Sequence, residues 1–504
     1  HTSSRRQRQM CIRDRKNMST ETLQEMENIL KLQKKLHIEE GPASIELRKD
    51  RLNRCIAMLK EYNEEILDAL QKDFGNRDPK ASFFSEIVST IGVLEHALKN
   101  IDKWTKDEKR PSNVNQPFFI RLMMGFFGSK SYIKYQPLGT VGVISPWNFP
   151  VNLVLAPLAG IFAAGNRTMI KPSELTPATS EITKKMFEAY FDKSEAAVFT
   201  GDAEVGAAFS ALPFDHLLFT GGTQIGKKVM KAASENLVPV TLELGGKSPV
   251  IVDEDANLSE VAKKVMRGKT MNAGQICLAP DYLMLPKGKS KEFANASSEV
   301  IGEMFEDLKY NEDYTSVINE RHYERINELV ADAKEKGAEV LEINPADEDF
   351  EQQELHKIPP TLVLNPTDDM KIMQEEIFGP VLPVKEYDDF NETVSYVNSK
   401  ERPLGLYLFS KDKDKEKKVL ENTTSGGVTL NDVIWHIGQE ELPFGGVGPS
   451  GTGSYHGHDG FKEFSHAKAV YKQFSADLMA QMMPPYKGKM LSLIHISEPT
   501  RLTS

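Results

Sequence analysis

Cys277 stands at the centre of Met271–Tyr282, MNAGQICLAPDY, and is one of three cysteines in 504 residues. It follows Gly274-Gln275-Ile276, where a small residue lets the backbone turn tightly just ahead of a thiol. A thiol on such a turn can present both its sulfur and its own backbone N–H to a pocket. That pairs a nucleophile with a donor for the oxyanion its attack creates. Free cysteine is also among the most buried residue types, so packing alone is the competing reading. Glu243 ends an apolar run and abuts Gly245-Gly246. A carboxylate there is costly unless paired or used, and burial would raise its pKa towards that of a general base. An ion pair with Lys247 explains it equally well. Asn148, before Phe149-Pro150, could aim its amide at an oxyanion or simply make a turn.

Two further stretches suit a nucleotide. Gly221-Gly222-Thr223-Gln224-Ile225-Gly226 joins a strand to a helix, where glycines allow a phosphate close to the helix N-terminus; a plain turn would look the same. With Lys227 it nearly spells a P-loop, but Lys228 replaces the hydroxyl that would hold Mg²⁺, so a kinase or ATPase reading is weak. Lys171 and Glu174 flank Pro172 at another strand end and suit either ribose hydroxyls or a solvated salt pair. His456 and His458 sit in a glycine-rich loop and read as solvated, and no metal site is evident.

These residues need a frame. Leu23 to about Lys99 has a helical period, with Leu52, Ile56, Leu59, Ile66 and Leu70 on one face. Phe84, Ile87, Ile91, Leu94 and Leu98 form another such face, and Gly75 and Pro79 separate the two helices. From Tyr132 strands alternate with helices. The strands are predicted at Thr140–Ser145, Arg167–Lys171, Ala196–Thr200, His216–Thr220, Val238–Leu244 and Val250–Val252. The helices between them are Val151–Ala164, Thr176–Tyr190 and Gly226–Glu235. That alternation predicts an α/β fold with a parallel sheet covered on both faces and ligands beyond the strands' C-terminal ends. The polar motifs, including Pro146-Trp147-Asn148, fall at those ends. A second α/β region is expected from Leu283 to about Trp435, and Pro443–Gly460, dense in glycine, as a loop.

Composition narrows the class. The length suggests two or three domains. A net charge of −11 disfavours nucleic acid and anionic membranes as default partners, and no apolar run approaches the ~20 residues of a membrane span. Three scattered cysteines imply a reducing compartment, hence the cytoplasm. His1–Lys16 is arginine-rich without helical period, and Leu491–Ser504 is unrelated to what precedes it. Both resemble translated adapter sequence, so residues 1–17 and 490–504 are expected to be foreign.

The blocks PWNFP (146–150), KPSE (171–174), FTGGTQIGK (219–227), LELGGKSP (242–249), NAGQICLAPDY (272–282), EEIFGPVLP (375–383) and PFGGVGPSGTGSYHG (443–457) occur in the order of the aldehyde dehydrogenases. The chain resembles that superfamily over Glu46–Tyr471, and most closely its class 3-like branch with bacterial coniferyl aldehyde dehydrogenases. The resemblance implies a Rossmann-type cofactor domain (18–244, bridging hairpin near 129–137), a catalytic domain (245–440), and a closing and oligomerisation segment (441–489). It also implies NAD(P)⁺-dependent oxidation of an aldehyde, medium or long-chain aliphatic or aromatic, to the acid. Cys277 would be the nucleophile, Asn148 and the Cys277 N–H the oxyanion donors, and Glu243 the base for thioester hydrolysis. Trp147, Lys171, Glu174, Gly221, Gly222, Thr223, Gly226, Glu376 and Phe378 would hold the cofactor, NAD by preference with NADP possible. A homodimer is expected. A catalytically silent member with a binding role is the alternative. Trp435, His436 and Ile437 suit an apolar substrate entrance, although Trp435 suits the core as well.

Overall fold

Short β-branched runs between helical segments become strands of two sheets. The chain is seen in a computed structural model that describes residues 2–112, 114–115, 118–126, 128–351, 353–473 and 483–485, with backbone alone for 2–20, 119, 120 and 123. The first sheet has six strands in the spatial order 451–452, 240–243, 216–220, 140–144, 167–171, 196–198. The last five run parallel. The strands at 167–171 and 216–220 are buried throughout, because helices cover both faces. Helix Asn152–Ala164, buried along almost its whole length, and helix Pro177–Tyr190 lie among these strands in the chain. Strand order reverses between 140–144 and 216–220, and a crevice opens at such a point because the connections leave in opposite directions.

The second sheet holds seven strands in the order 339–342, 361–364, 381–387, 282–286, 249–252, 405–409, 427–430, parallel except for the first pair. The link from the first sheet to the second is Leu244–Ser248, so Glu243 ends the last parallel strand of one sheet just before the other begins. Cys277 precedes the strand Tyr282–Pro286. A smaller unit, Thr105–Gln136 with His466–Ser504, carries the antiparallel strands Glu108–Arg110 and Lys130–Pro137, the helix Phe118–Phe126 and most of the strand Ser465–Lys472.

Several local expectations change. Leu52, Ile56, Leu59, Ile66 and Leu70 are buried together, but Phe84 is 65% exposed and Ile91 only half-buried. A π-helical turn at Phe83–Val88 is the reason: its extra residue rotates the following helix, so Ile87, Val93, Leu94, Ala97 and Ile101 face the core. The helix expected from Gly226 begins at Thr223, with Gly222 as its N-cap. Pro443–Gly460 is not all loop. Gly451 and Thr452 pair antiparallel with Glu243 and Leu242, and a helix starts at Gly457. Only glycine suits position 451, since φ is +149° and a Cβ would lie 2.3 Å from the Leu242 carbonyl oxygen. The backbone of Thr2–Glu40 is one continuous helix through the expected boundary at residue 17, because Arg, Lys, Gln and Met favour helix even without an apolar stripe. Residues 490–504 lie outside the described residues.

Asn166 joins the site's two supporting strands to the segment behind them. Its amide accepts from Gly139 N–H (2.9 Å) and donates to the carbonyls of Ile161 (3.2 Å) and Phe464 (2.8 Å), all buried. Asn166→Ala would strand these groups in the interior, so thermal or urea unfolding should show a loss of about 1–3 kcal/mol. A change below about 0.5 kcal/mol would mean that water replaces the amide.

Candidate active site

The backbone ahead of Cys277 is wound the wrong way for L-residues. Helix Leu258–Thr270 stops, and Asn272, Ala273 and Gly274 follow with φ of 49°, 52° and 72°. Left-handed conformations at two consecutive non-glycine residues are unfavourable and persist only when the surroundings over-determine them. Here side-chain amides do so. Asn272 Nδ2 donates to the carbonyls of Asn148 (3.2 Å) and Gln275 (3.2 Å). Gln275 Nε2 donates to Asn272 O (2.9 Å) and Ser316 O (3.0 Å), and its Oε1 accepts from Ile318 N–H (3.0 Å). At Gly274 an added Cβ would sit 2.3 Å from the Gly379 carbonyl oxygen, so glycine is required there. The turn leaves Cys277 half-buried, with the N–H groups of Cys277 and Leu278 donating towards its sulfur. Asn148 Nδ2 reaches the same turn, donating to Gln275 O at 3.1 Å. The Asn148 amide is thus tied to the turn that carries the thiol, and both residues line one cleft.

Two carboxylates act on that thiol. Glu243 is 2% exposed, its Oε1 has no hydrogen-bond partner among the described residues, and burial pushes its pKa well up against the backbone N–H of Gly446. The suggested pairing with Lys247 does not occur. Lys247 Nζ bonds Asp281 and the carbonyls of Ile372 (2.7 Å) and Glu375 (3.0 Å) instead. Burial also raises Glu376 to about 8, aided by Asp281 and opposed by the Gly246 N–H. Its carboxylate lies where a side chain at Gly245 would otherwise be, within 2.2–2.3 Å of that Cβ position. Burial first, then Glu243 and Glu376, raise the Cys277 thiol well above its ordinary value, so the free protein holds it as a neutral thiol at pH 7.

A cleft of about 800 Å³ opens over these groups. Trp147, Asn148, Gly221, Gly222, Thr223, Glu243, Cys277, Glu376 and Phe378 line it, so nine of the predicted residues converge. Gly226, Lys171 and Glu174 do not line it. At Gly226 a Cβ would meet Leu244 at 2.7 Å, which makes this glycine a packing contact between helix and strand end. Lys171 is buried and bonds Pro172 O (2.9 Å) and Glu174 (3.1 Å), leaving Glu174 about half in solvent.

The comparisons agree over almost the whole chain. Residues 20–470 match the model of the aldehyde dehydrogenase family. The chain belongs to that family. It is 55% identical to the probable coniferyl aldehyde dehydrogenase of Caulobacter vibrioides over 463 residues, 92% of this chain and 94% of that protein. To the coniferyl aldehyde dehydrogenase of Pseudomonas sp. strain HR199 it is 50% identical, over 87% and 89%. Among solved structures, a substrate-bound Staphylococcus aureus AldH superposes with a TM-score of 0.85 at 36% identity, covering 94% of this chain and 99% of that one. The protein is an NAD(P)-dependent aldehyde dehydrogenase. The silent alternative finds no support. Among the described residues no helix is long and apolar enough to cross a membrane.

The cleft of this aldehyde dehydrogenase fits a dinucleotide. Helix Thr223–Ser234 opens at Gly222 with no side-chain cap, leaving free N–H groups at a cleft wall where a pyrophosphate would be stabilised. At Gly222 a Cβ would meet nothing within 4 Å, so the wall is open. Phe378, at φ +49°, packs edge-on against Trp147 with centroids 5.4 Å apart. Some lining residues escape sequence reasoning. His322 packs on Trp147 at 5.1 Å and burial lowers its pKa to about 4; Arg325 donates to the Glu376 and Ile377 carbonyls. Both sit far along the chain without a motif. Trp435 is 59% exposed and so is not core. His456 is buried rather than solvated, stacked on Phe444 at 5.2 Å, because the glycine-rich segment folds back into the sheet.

Iodoacetamide labelling of Cys277 in the free protein, read by peptide mass spectrometry, should still be climbing at pH 9.5. In Glu243→Gln, with one acidic neighbour removed, the curve should move to lower pH. A plateau below pH 8 in the parent would contradict a thiol raised by burial.

Proposed function

We propose that this enzyme oxidises a hydrophobic aldehyde, with coniferyl aldehyde the leading candidate and medium-chain aliphatic aldehydes next, to its acid by hydrolysis of a Cys277 thioester. The observation that carries this reading is the convergence of thiol, amide donor and unpartnered buried carboxylate at one cleft. The Cys277 thiolate adds to the aldehyde carbon, and the new oxyanion accepts from the Asn148 amide and the Cys277 N–H. A bound nicotinamide supplies a hydride acceptor and, when oxidised, a positive charge that favours the thiolate. Oxidation of the adduct leaves a thioester. Glu243, made more basic by burial, takes a proton from the attacking water in its ionised form, and the acid leaves as the thiol is restored. Relatives named for coniferyl aldehyde support the substrate assignment.

NAD is the preferred cofactor in this reading. Glu174, paired with Lys171 and about half exposed, can accept ribose hydroxyls and would repel a 2′-phosphate. Residues 18–244 form the cofactor-binding part and 245–440 the catalytic part, closed by 441–489. The protein acts in the cytoplasm as a homodimer, with the strands Lys130–Pro137 and Ser465–Lys472 offered for assembly.

The test follows reduced nicotinamide by absorbance with NAD⁺ or NADP⁺ and hexanal, decanal, benzaldehyde or coniferyl aldehyde. Coniferyl aldehyde with NAD⁺ should give the highest kcat/KM. Cys277→Ala should abolish the signal, and Asn148→Ala should lower kcat by about 10²–10³. Glu243→Gln should give one fast turnover followed by slow release. Steady turnover by Glu243→Gln at the parent rate would remove the assigned base, and a better aliphatic substrate would overturn the coniferyl assignment.

A further inference from the structure

Behind Asn148 lies a buried pair of opposite charges that neither the motifs nor the reaction scheme accounts for. Arg77 is 3% exposed and Glu86 is fully buried. Their charged groups approach to 2.9 Å. Arg77 is flanked by rings, its guanidinium carbon 4.6 Å from the Phe74 centroid and 5.1 Å from that of Phe149. Arg77 Nη1 donates to the Asn148 carbonyl at 3.0 Å. Glu86 Oε2 accepts the N–H groups of Val151 (3.0 Å) and Asn152 (2.8 Å), two of the free donors where helix Asn152–Ala164 begins. The pair thus holds the 148–152 loop at both ends. Glu86 reaches it from the π-helical turn, a distortion often found where a helix must present a side chain to a functional site.

A buried ion pair is a poor way to gain stability, since desolvation offsets much of the attraction. Its merit is placement. The carboxylate holds the guanidinium by charge at 2.9 Å, and Arg77 Nη1 fixes the carbonyl of Asn148. That carbonyl also accepts from Asn272 Nδ2 of the cysteine turn, so the loop carrying the amide and the turn carrying the thiol share one acceptor.

We propose that Arg77 and Glu86 are positioning residues that hold the Asn148 amide at the distance from Cys277 the oxyanion requires. This rests on the reading of Asn148 as an oxyanion donor. Misplacing a donor by an ångström costs turnover rather than cofactor affinity, about 10- to 100-fold. Neither residue lines the cleft itself; Arg77 reaches it only through the backbone of Asn148.

The experiment is a double-mutant cycle on kcat with NAD⁺ and coniferyl aldehyde. Arg77→Met with Glu86→Gln removes both charges, leaves an acceptor for the helix N–H groups and avoids an orphaned ion. It should lower kcat about 10- to 100-fold with the KM for NAD⁺ within about twofold of the parent. In the Asn148→Ala background the same pair of changes should cost less than about twofold. Arg77→Lys, which keeps the charge but not the fork, should fall between. An equal loss in both backgrounds, or none in the parent, overturns the proposal. If Asn148→Ala itself turns over normally, the donor reading fails separately. Amide hydrogen exchange at Val151 and Asn152 then decides the positioning role: faster exchange in the double variant at unchanged Tm supports it, and unchanged exchange overturns it.

Discussion

The site depends on a small set of side-chain amides that tie two separate sheets together. Asn148 lies in the loop that follows the strand Thr140–Ile144 of the first sheet, while Asn272 and Gln275 precede a strand of the second, and their reciprocal bonds of 3.1–3.2 Å fix one against the other. Without them the left-handed run at 272–274 would relax, because each such residue is held against its own preference. Amides suit this work because each offers donors and acceptors at once and carries no charge to desolvate. The geometry of thiol and donor is therefore a consequence of packing between sheets, not of either strand alone.

Electrostatics set the second constraint. Two carboxyls stand close to the thiol in a region that burial makes unfavourable for any charge, and all three pKa values rise together. A charge on any one of them makes a second harder to form, so the protons of the three groups are linked. Glu243 retains an unpartnered oxygen aimed at no protein donor, a cost that a stability-only design would have removed. Asp281 has the opposite fate. Lys247 satisfies one oxygen and the Ile377 N–H (2.9 Å) the other, so it braces the loop that carries Glu376.

Support extends outward in layers. The glycine-rich segment adds a short antiparallel strand beside Glu243, covering what would be an open edge at the critical residue. Further back, Arg51 and Arg54 of the helix Ile45–Glu61 share Glu195, joining that helix to the residue before the strand Ala196–Val198 at 2.9–3.0 Å. These contacts explain why helices remote from the cleft still matter to its shape.

Much of this was legible in the residues themselves. Short β-branched runs alternating with helical segments marked the first sheet's strands, and Gly274 announced the turn at Cys277, because backbone preference is a local property. Blocks such as LELGGKSP and EEIFGPVLP carried the family, hence the reaction. Tertiary structure alone decided the rest. Lys247 could be read as a partner for Glu243, yet it meets Asp281, since which charges pair depends on where two loops cross. The face of helix Ser89–Trp104 changed because a π turn adds a residue that no apolar count reveals. His322, Arg325 and the Arg77–Glu86 pair carry no motif, and they reach the site only because distant stretches are folded against it. Spacing along a chain reports local geometry; which side chains converge from opposite ends of it is settled by packing.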